Sequence, residues 1–172
     1  MFNVNSNRGH FIAPFTTTSA TPSESAWLEL GAGIEDISDS SADSTSERFF
    51  YDGEHSNAVN RVTVAYDISG VYASTDPAQK LIADMKLKTG VGRKVWHRIV
   101  SSDGTKQWVG HATVTDIVAG SGAAEVEEAF GCTITFNMTP VEGTPGSGGS
   151  NSEAALNSTS VSNKANKKEE TK

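Results

Sequence analysis

Residues 124–139, AEVEEAFGCTITFNMT, alternate strictly between two surfaces. Val126, Phe130, Cys132, Ile134, Phe136 and Met138 fall on one side, and Glu125, Glu127, Thr133, Thr135 and Asn137 on the other. A period of two over this length predicts a β-strand with one face in a core. The opposite face carries small Thr and Asn rather than the Lys and Glu of a freely solvated sheet. Such a face is expected to border something specific, a neighbouring subunit or a pore. Residues 58–69 repeat the pattern. Val62, Val64, Tyr66 and Ile68 point one way; Arg61, Thr63, Ala65, Asp67 and Ser69 point the other.

A helical signal falls at residues 76–90. Asp76 is a good N-cap, Pro77 suits the first helical position, and Gln79 can close a capping-box-like pair with Asp76. Leu81, Ile82 and Met85 form an apolar stripe, Lys86 and Lys88 suit the negative end of the dipole, and Gly90 can end the element. A helix over 77–89 follows. Residues 27–37 read as one opening strand interrupted by Gly31 and Gly33. Residues 93–100 and 106–118 form a hairpin about Ser102-Asp103-Gly104, and a Gly-rich turn at 119–122 leads into the last strand. Residues 38–57 make a long loop of Ser, Asp and Glu around Phe49, Phe50 and Tyr51, with a short strand at 48–51 before the Asp52-Gly53 turn. One helix among antiparallel strands predicts an α+β, mainly β fold: an antiparallel β-sandwich or small barrel with one packed α-helix.

Composition sets the limits of that domain. Apolar residues make up 36% of the 172, too few for a chain packed from end to end, and the deficit sits at the two ends. Residues 1–25 are rich in Asn, Ser and Thr, and read as an N-terminal arm that is flexible until assembled. Residues 143–172 are Gly/Ser/Lys-rich without apolar periodicity, and read as a disordered tail. The β domain is therefore expected over 26–142. That core holds 17 acidic against 9 basic residues, and the whole chain is −7. An acidic surface repels phosphate backbones rather than gripping them.

Chemistry is hard to find. His10, His55, His97 and His111 lack metal-ligand spacing to one another or to Cys132, and read as isolated surface histidines. Cys132, the single cysteine, lies on the apolar side of its strand and reads as a buried structural thiol. Glu35-Asp36 and Glu127-Glu128 are the carboxylate pairs that an acidic composition produces anyway. Asp39, Asp43 and Glu47 miss the spacing of a calcium loop. With no phosphate loop, dinucleotide fingerprint or nucleophile elbow, no enzyme activity and no cofactor are expected. The first residues have no basic segment followed by an apolar run, and no stretch approaches the ~18 apolar residues of a membrane span. A soluble chain made in the cytosol, without a membrane partner, is expected.

What remains are assembly features: polar strand faces, an aromatic-bearing loop, one docking helix and mobile ends. In their order they resemble the major tail tube protein of long non-contractile-tailed, siphovirus-type bacteriophages. The resemblance runs from Trp27 to Gly143: a Trp-bearing strand, a long acidic loop ending at Tyr51-Asp52-Gly53, and an alternating strand. Then come the Asp76-Pro77-Ala78 helix start, the Ser102-Asp103-Gly104 hairpin, the Gly120-Ser121-Gly122 turn and a last strand before Pro140. The Gly/Ser-rich tail departs from members that carry an immunoglobulin-like extension there.

The resemblance implies hexameric rings of this chain that stack into a tube around a tape-measure protein. Tail terminator and distal tail proteins would flank it, and double-stranded DNA would pass without specific binding. The chain would be made in the host bacterial cytoplasm and end in the virion tail. Lumen candidates are Thr63, Asp67, Glu125, Glu127, Thr133 and Thr135, with either polar face able to border the pore. Inter-subunit or inter-ring candidates are Phe49, Phe50 and Tyr51 of the loop and Phe11, Ile12 and Phe15 of the arm. The loop aromatics could equally fill their own subunit's core. Two alternatives stay open: a carbohydrate- or receptor-binding β-sandwich using Trp96 and Trp108 as a platform, and a type VI secretion-like tube protein.

Overall fold

The alternation read from the sequence is realised in two neighbouring strands, Ala65–Val71 and Ala129–Phe136. They pair antiparallel in register, with Asp67 opposite Thr133 and Ile68 opposite Cys132. The computed structural model describes residues 4–18 and 20–146. Its strands in chain order are β1 (Gly9–Pro14), β2 (Leu28–Glu29), β3 (Ile34–Asp39), β4 (Ala42–Phe49), β5 (His55–Thr63), β6 (Ala65–Val71), β7 (Lys94–Val100), β8 (Gln107–Ala119), β9 (Ala129–Phe136) and β10 (Val141–Gly143). One α-helix, α1 (Pro77–Ala83), lies between β6 and β7. The fold is mainly β with one packed helix, as the pattern predicts. Eight strands form an antiparallel sheet in the order β2-β1-β7-β8-β9-β6-β3, with β10 beside β8, while β4 and β5 form a separate ribbon.

The sheet curls. Three strands separate β1 from β6 in that order, yet the rings of His10 and Tyr66 meet at 5.1 Å. The concave side holds the core, where Ile12, Val95, Ile99, Val114 and Ile134 are fully buried, each worth roughly 1.5–3 kcal/mol relative to exposure. Helix α1 covers it with Ala78, Ile82 and Met85. Asp76 caps the helix, its Oδ1 accepting the Gln79 N–H at 2.8 Å. The Gln79 side chain does not close a capping box. It is fully buried, donates to the carbonyls of Ala32 (2.7 Å) and Val71 (3.2 Å), and accepts the Ala73 N–H (2.7 Å). The helix is shorter than the expected 77–89. After Ala83 the chain tightens into i→i+3 bonds, such as Met85 N–H to Ile82 and Lys88 N–H to Met85.

Three expected strands are divided or trimmed. Residues 27–37 are two strands, β2 and β3, at opposite ends of the strand order. Gly33 between them has φ +71, and a Cβ there would lie 2.6 Å from the Val71 carbonyl. Residues 58–69 split at Val64 between the ribbon and the sheet. The long last strand is confined to 129–136. Residues 123–128 form the end of a turn, Val126 and Met138 are exposed rather than core, and β10 resumes along β8. The N-terminal segment also differs from a flexible arm. Residues 9–14 are β1, paired to β7 along its whole length, because His10 and Ile12 supply one more inward-facing element while Ala13 is buried on the other side. Of the expected tail, residues 147–172 lie outside the described residues.

Candidate assembly surfaces

The convex side of the sheet is divided into two halves. Over β3, β6, β9 and part of β8 it is open and polar. The cross-strand rows are Ser38–Asp67–Thr133–Thr115 and Ala65–Thr135–Thr113–Lys94. Asp67 Oδ1 accepts the Thr133 hydroxyl at 2.6 Å, and the Thr113 hydroxyl donates to Asn137 Oδ1 at 2.6 Å. Short side chains bonded to their neighbours make a flat surface with few groups free to grip a ligand. The two polar strand faces seen in the sequence are therefore one surface, since β6 and β9 are adjacent. Of the lumen candidates, Asp67, Thr133 and Thr135 share it. Thr63 sits half-buried at the root of the ribbon, and Glu125 and Glu127 are exposed in the connection before β9, off the strand face.

Over β1 and β7 the same side is covered by Phe15, Thr16, Glu24, Ala26 and Trp27 of the chain's own following segment. Trp27 and Trp96 pack there with Ala13, and Phe11 and Val109 border them. The Arg98 guanidinium lies 4.6 Å from the Phe11 ring centroid and 4.7 Å from that of Trp27, and pairs with Glu24 at 2.7 Å. Trp96 Nε1 donates to the Thr16 hydroxyl at 3.1 Å, and Phe15 meets His111 edge-on at 5.0 Å. Phe11 and Phe15 are thus half-buried within the subunit, and Ile12 is wholly enclosed. Trp96 and Trp108 form no platform. Trp96 is buried in this convex cluster, whereas Trp108, opposite Ile99, packs against the core.

The loop expected at 38–57 is mostly β-structure. β4 and β5 pair over eight rungs from Ala42–Thr63 to Phe49–His55, a ribbon of about 25 Å at ~3.3 Å per residue. It continues β3 and β6 beyond the point where β9 ends, tethered by Ser40 N–H to Ala65 O (2.9 Å). Gly53, at φ +85, closes the tip turn, where Glu54 N–H donates to Asp52 Oδ1 at 3.0 Å. Phe49 is 76% exposed, Phe50 52% and Tyr51 fully so. These aromatics do not fill their own core. Val59 and Val62 are also exposed along β5. A two-stranded ribbon with both faces in water is marginal by itself, so this one calls for a partner.

Two of the histidines, His10 and His97, differ from the surface reading, whereas His55 is exposed on the ribbon. His97 alternates with Val95 and Ile99 and is fully buried; its Nε2 lies 3.4 Å from Nδ1 of His10. Burial pushes His97 down to about 3 and His10 to about 4, with repulsion between His97 and His10, and from Arg8 on His10, adding to it. The inward parity of position 97 was the available signal. Cys132 is buried, as expected, and burial raises its thiol to about 12, which keeps it protonated and inert. Among the described residues, no group of three His, Cys, Asp or Glu is placed to hold a metal, and no helix is long and apolar enough to cross a membrane.

No family model matches the chain, and no curated protein matches it in sequence. Solved structures do match its fold. A chain of the tail of an empty gene transfer agent particle, computed with helical refinement in C6 symmetry, superposes with a TM-score of 0.57 at 14% identity. The match covers 81% of this chain and 98% of that one. A chain of the virion of the native gene transfer agent particle gives 0.54 at 13% identity, covering 78% and 95%. The architecture described above is thus shared with a chain of a particle tail, in agreement with the fold that the sequence resemblance implied.

Proposed function

We propose that this chain is a structural subunit of a phage-type tail tube, without enzymatic activity, closing into six-membered rings that stack around a tape-measure protein. The observation that carries this reading is the fold shared with nearly the whole of a chain from a C6-symmetric tail. The unpartnered ribbon supports it independently, since it gains a binding surface only when another copy or another protein meets it. In the assembled particle, tail terminator and distal tail proteins cap the stack. The chain is made in the host bacterial cytoplasm and resides in the virion.

The open half of the convex face lines the channel over β3, β6 and β9 in this reading. Asp67, Thr133 and Thr135 form its middle, Thr63 lies at the ribbon root, and Glu125 and Glu127 stand in the connection at one end. The Thr113 and Thr133 hydroxyls, already bonded to neighbours, together with net negative charge, give duplex DNA little to hold. DNA slides where attraction would brake it. Phe49, Phe50 and Tyr51 make contacts between subunits, where buried aromatics concentrate binding energy.

Negative-stain microscopy of the purified protein across a concentration series tests the proposal. Hollow filaments of uniform diameter are expected. A particle that stays monomeric at every concentration, including beside a candidate tape-measure protein, overturns it.

A further inference from the structure

The stretch after α1 builds a cation-bearing cleft on an acidic chain. Arg93 folds back and donates from Nε to the Lys88 carbonyl (2.7 Å), from Nη2 to that of Lys86 (2.7 Å), and from Nη1 to that of Val114 (3.4 Å). These bonds staple residues 86–93 onto β8 and leave a cleft of about 650 Å³ lined by Lys88, Val91, Lys94, Thr113, Thr115 and Asp116. Val91 is 60% exposed on its wall, and Leu87, next to Lys88 in the chain, is 95% exposed. The β7 ladder ends at the Lys94–Thr113 pair, so from Val114 onward no strand among the described residues pairs with that edge of β8.

The tip of the β4–β5 ribbon has complementary chemistry. Between Glu47 and Glu54 it carries three acids, Glu47, Asp52 and Glu54, against the one base Arg48, around Phe49, Phe50 and Tyr51. It cannot serve its own cleft. Ala65 at the ribbon root is on the rung of Thr135 and Thr113, and the ribbon runs from there in the direction opposite to Thr115 and Asp116. No residue of the ribbon lines the cleft.

The geometry points to a head-to-tail contact in which the ribbon tip of one copy docks in the Lys88–Val91–Thr115 cleft of the next. The aromatics cover Leu87 and Val91, and Glu47 and Glu54 face Lys86 and Lys88. Such a contact is heterologous, because tip and cleft are different surfaces, and it repeats from copy to copy. This inference rests on the tail-tube reading for the identity of the partner and adds the receiving surface, which that reading leaves open.

The test uses the full chain. Lys86→Glu with Lys88→Glu, both on exposed positions that leave the Arg93 staple to their carbonyls, should raise the concentration needed for filaments at least tenfold without lowering the melting temperature. Adding Glu47→Lys and Glu54→Lys to the same chain should restore assembly. Independently, a mixture of Tyr51→Cys and Val91→Cys chains should form a disulfide-linked dimer on oxidation, whereas each variant alone should not; buried Cys132 stays silent. If wild-type filaments form but the charge reversal changes nothing and the mixture does not cross-link, the docking is wrong and the tail-tube reading stands. If the wild-type chain never assembles, both fall.

Discussion

His97 shows how one position couples local pattern to global behaviour. It faces inward between Val95 and Ile99, against His10, Tyr66 and Phe136. Both histidines are held neutral in the folded chain, His10 down to about 4 and His97 to about 3, whereas unfolded imidazoles take up protons below 6.5. The unfolded state therefore binds more protons through that window, and stability must fall as the pH drops from 6.5 towards 4. The slope is about 1.4 kcal/mol per pH unit for each group, and above pH 7 the curve is flat. Urea unfolding at pH 7 and pH 5 should differ by about 3–4 kcal/mol, and His97→Gln should roughly halve that difference whatever it does to the stability at pH 7. A midpoint unchanged from pH 7 to 5 would contradict the burial. Arg98 is a second such position. Stacked between Phe11 and Trp27 and paired with Glu24, it pins Glu24 and Trp27 over β1 and β7. Arg98→Ala should cost about 2 kcal/mol, lowering the melting temperature by several degrees, and Arg98→Lys should recover less than half, since Lys lacks the planar fork.

Elements were legible where the sequence pattern and the tertiary role agree. β6, β9, the β7–β8 hairpin and the start of α1 were all readable, because alternation, the Asp76 cap and the Ser102-Asp103-Gly104 turn are local signals. Alternation does not say which sheet a strand joins, so residues 27–37 and 58–69 each looked like one strand while feeding two. β1 was hidden by its Asn-, Ser- and Thr-rich flanks, and β4 by a run of Ser, Asp and Glu whose apolar content is nearly nil until Phe49. The polar face could be read from Thr133, Thr135 and Asp67, whereas the cleft could not, because it joins residues 88–94 to 113–116 through Arg93 with no periodic mark. Gln79 carries the clearest test at this scale. Its amide ties α1 to the chain before β3 and the end of β6 through three backbone groups. Gln79→Leu keeps the volume but leaves those groups unpaired, so chemical denaturation should show a loss of about 2–4 kcal/mol. A neutral result would mean that water or a shifted loop satisfies them instead.

At the scale of the whole molecule, the isolated chain is incomplete in three places. Among the described residues, the outer edge of β3 has no strand beside it, the ribbon has no surface under it, and half the convex face lies bare. Edges and ribbons of this kind persist in soluble proteins when other chains cover them, and the proposed ring closure with stacking would cover the first two. In the tube proposed above the third faces the axis, which would make its charge a property of the tube rather than of one copy. Reversing it therefore has a collective consequence. A chain with Asp67→Lys, Thr133→Lys and Thr135→Lys alters exposed or half-exposed positions on one face, so it should still fold and form filaments. Stacked copies would then present a column of lysines to anything inside. Short duplex DNA added during assembly should be retained at low salt, released steeply as salt rises, and protected from nuclease, whereas wild-type filaments should retain none. Protection separates a channel from an outer surface, because DNA held on the outside would be retained by the same lysines and still be digested. Filaments of the lysine variant whose bound DNA is fully digested would place this face on the outside of the tube.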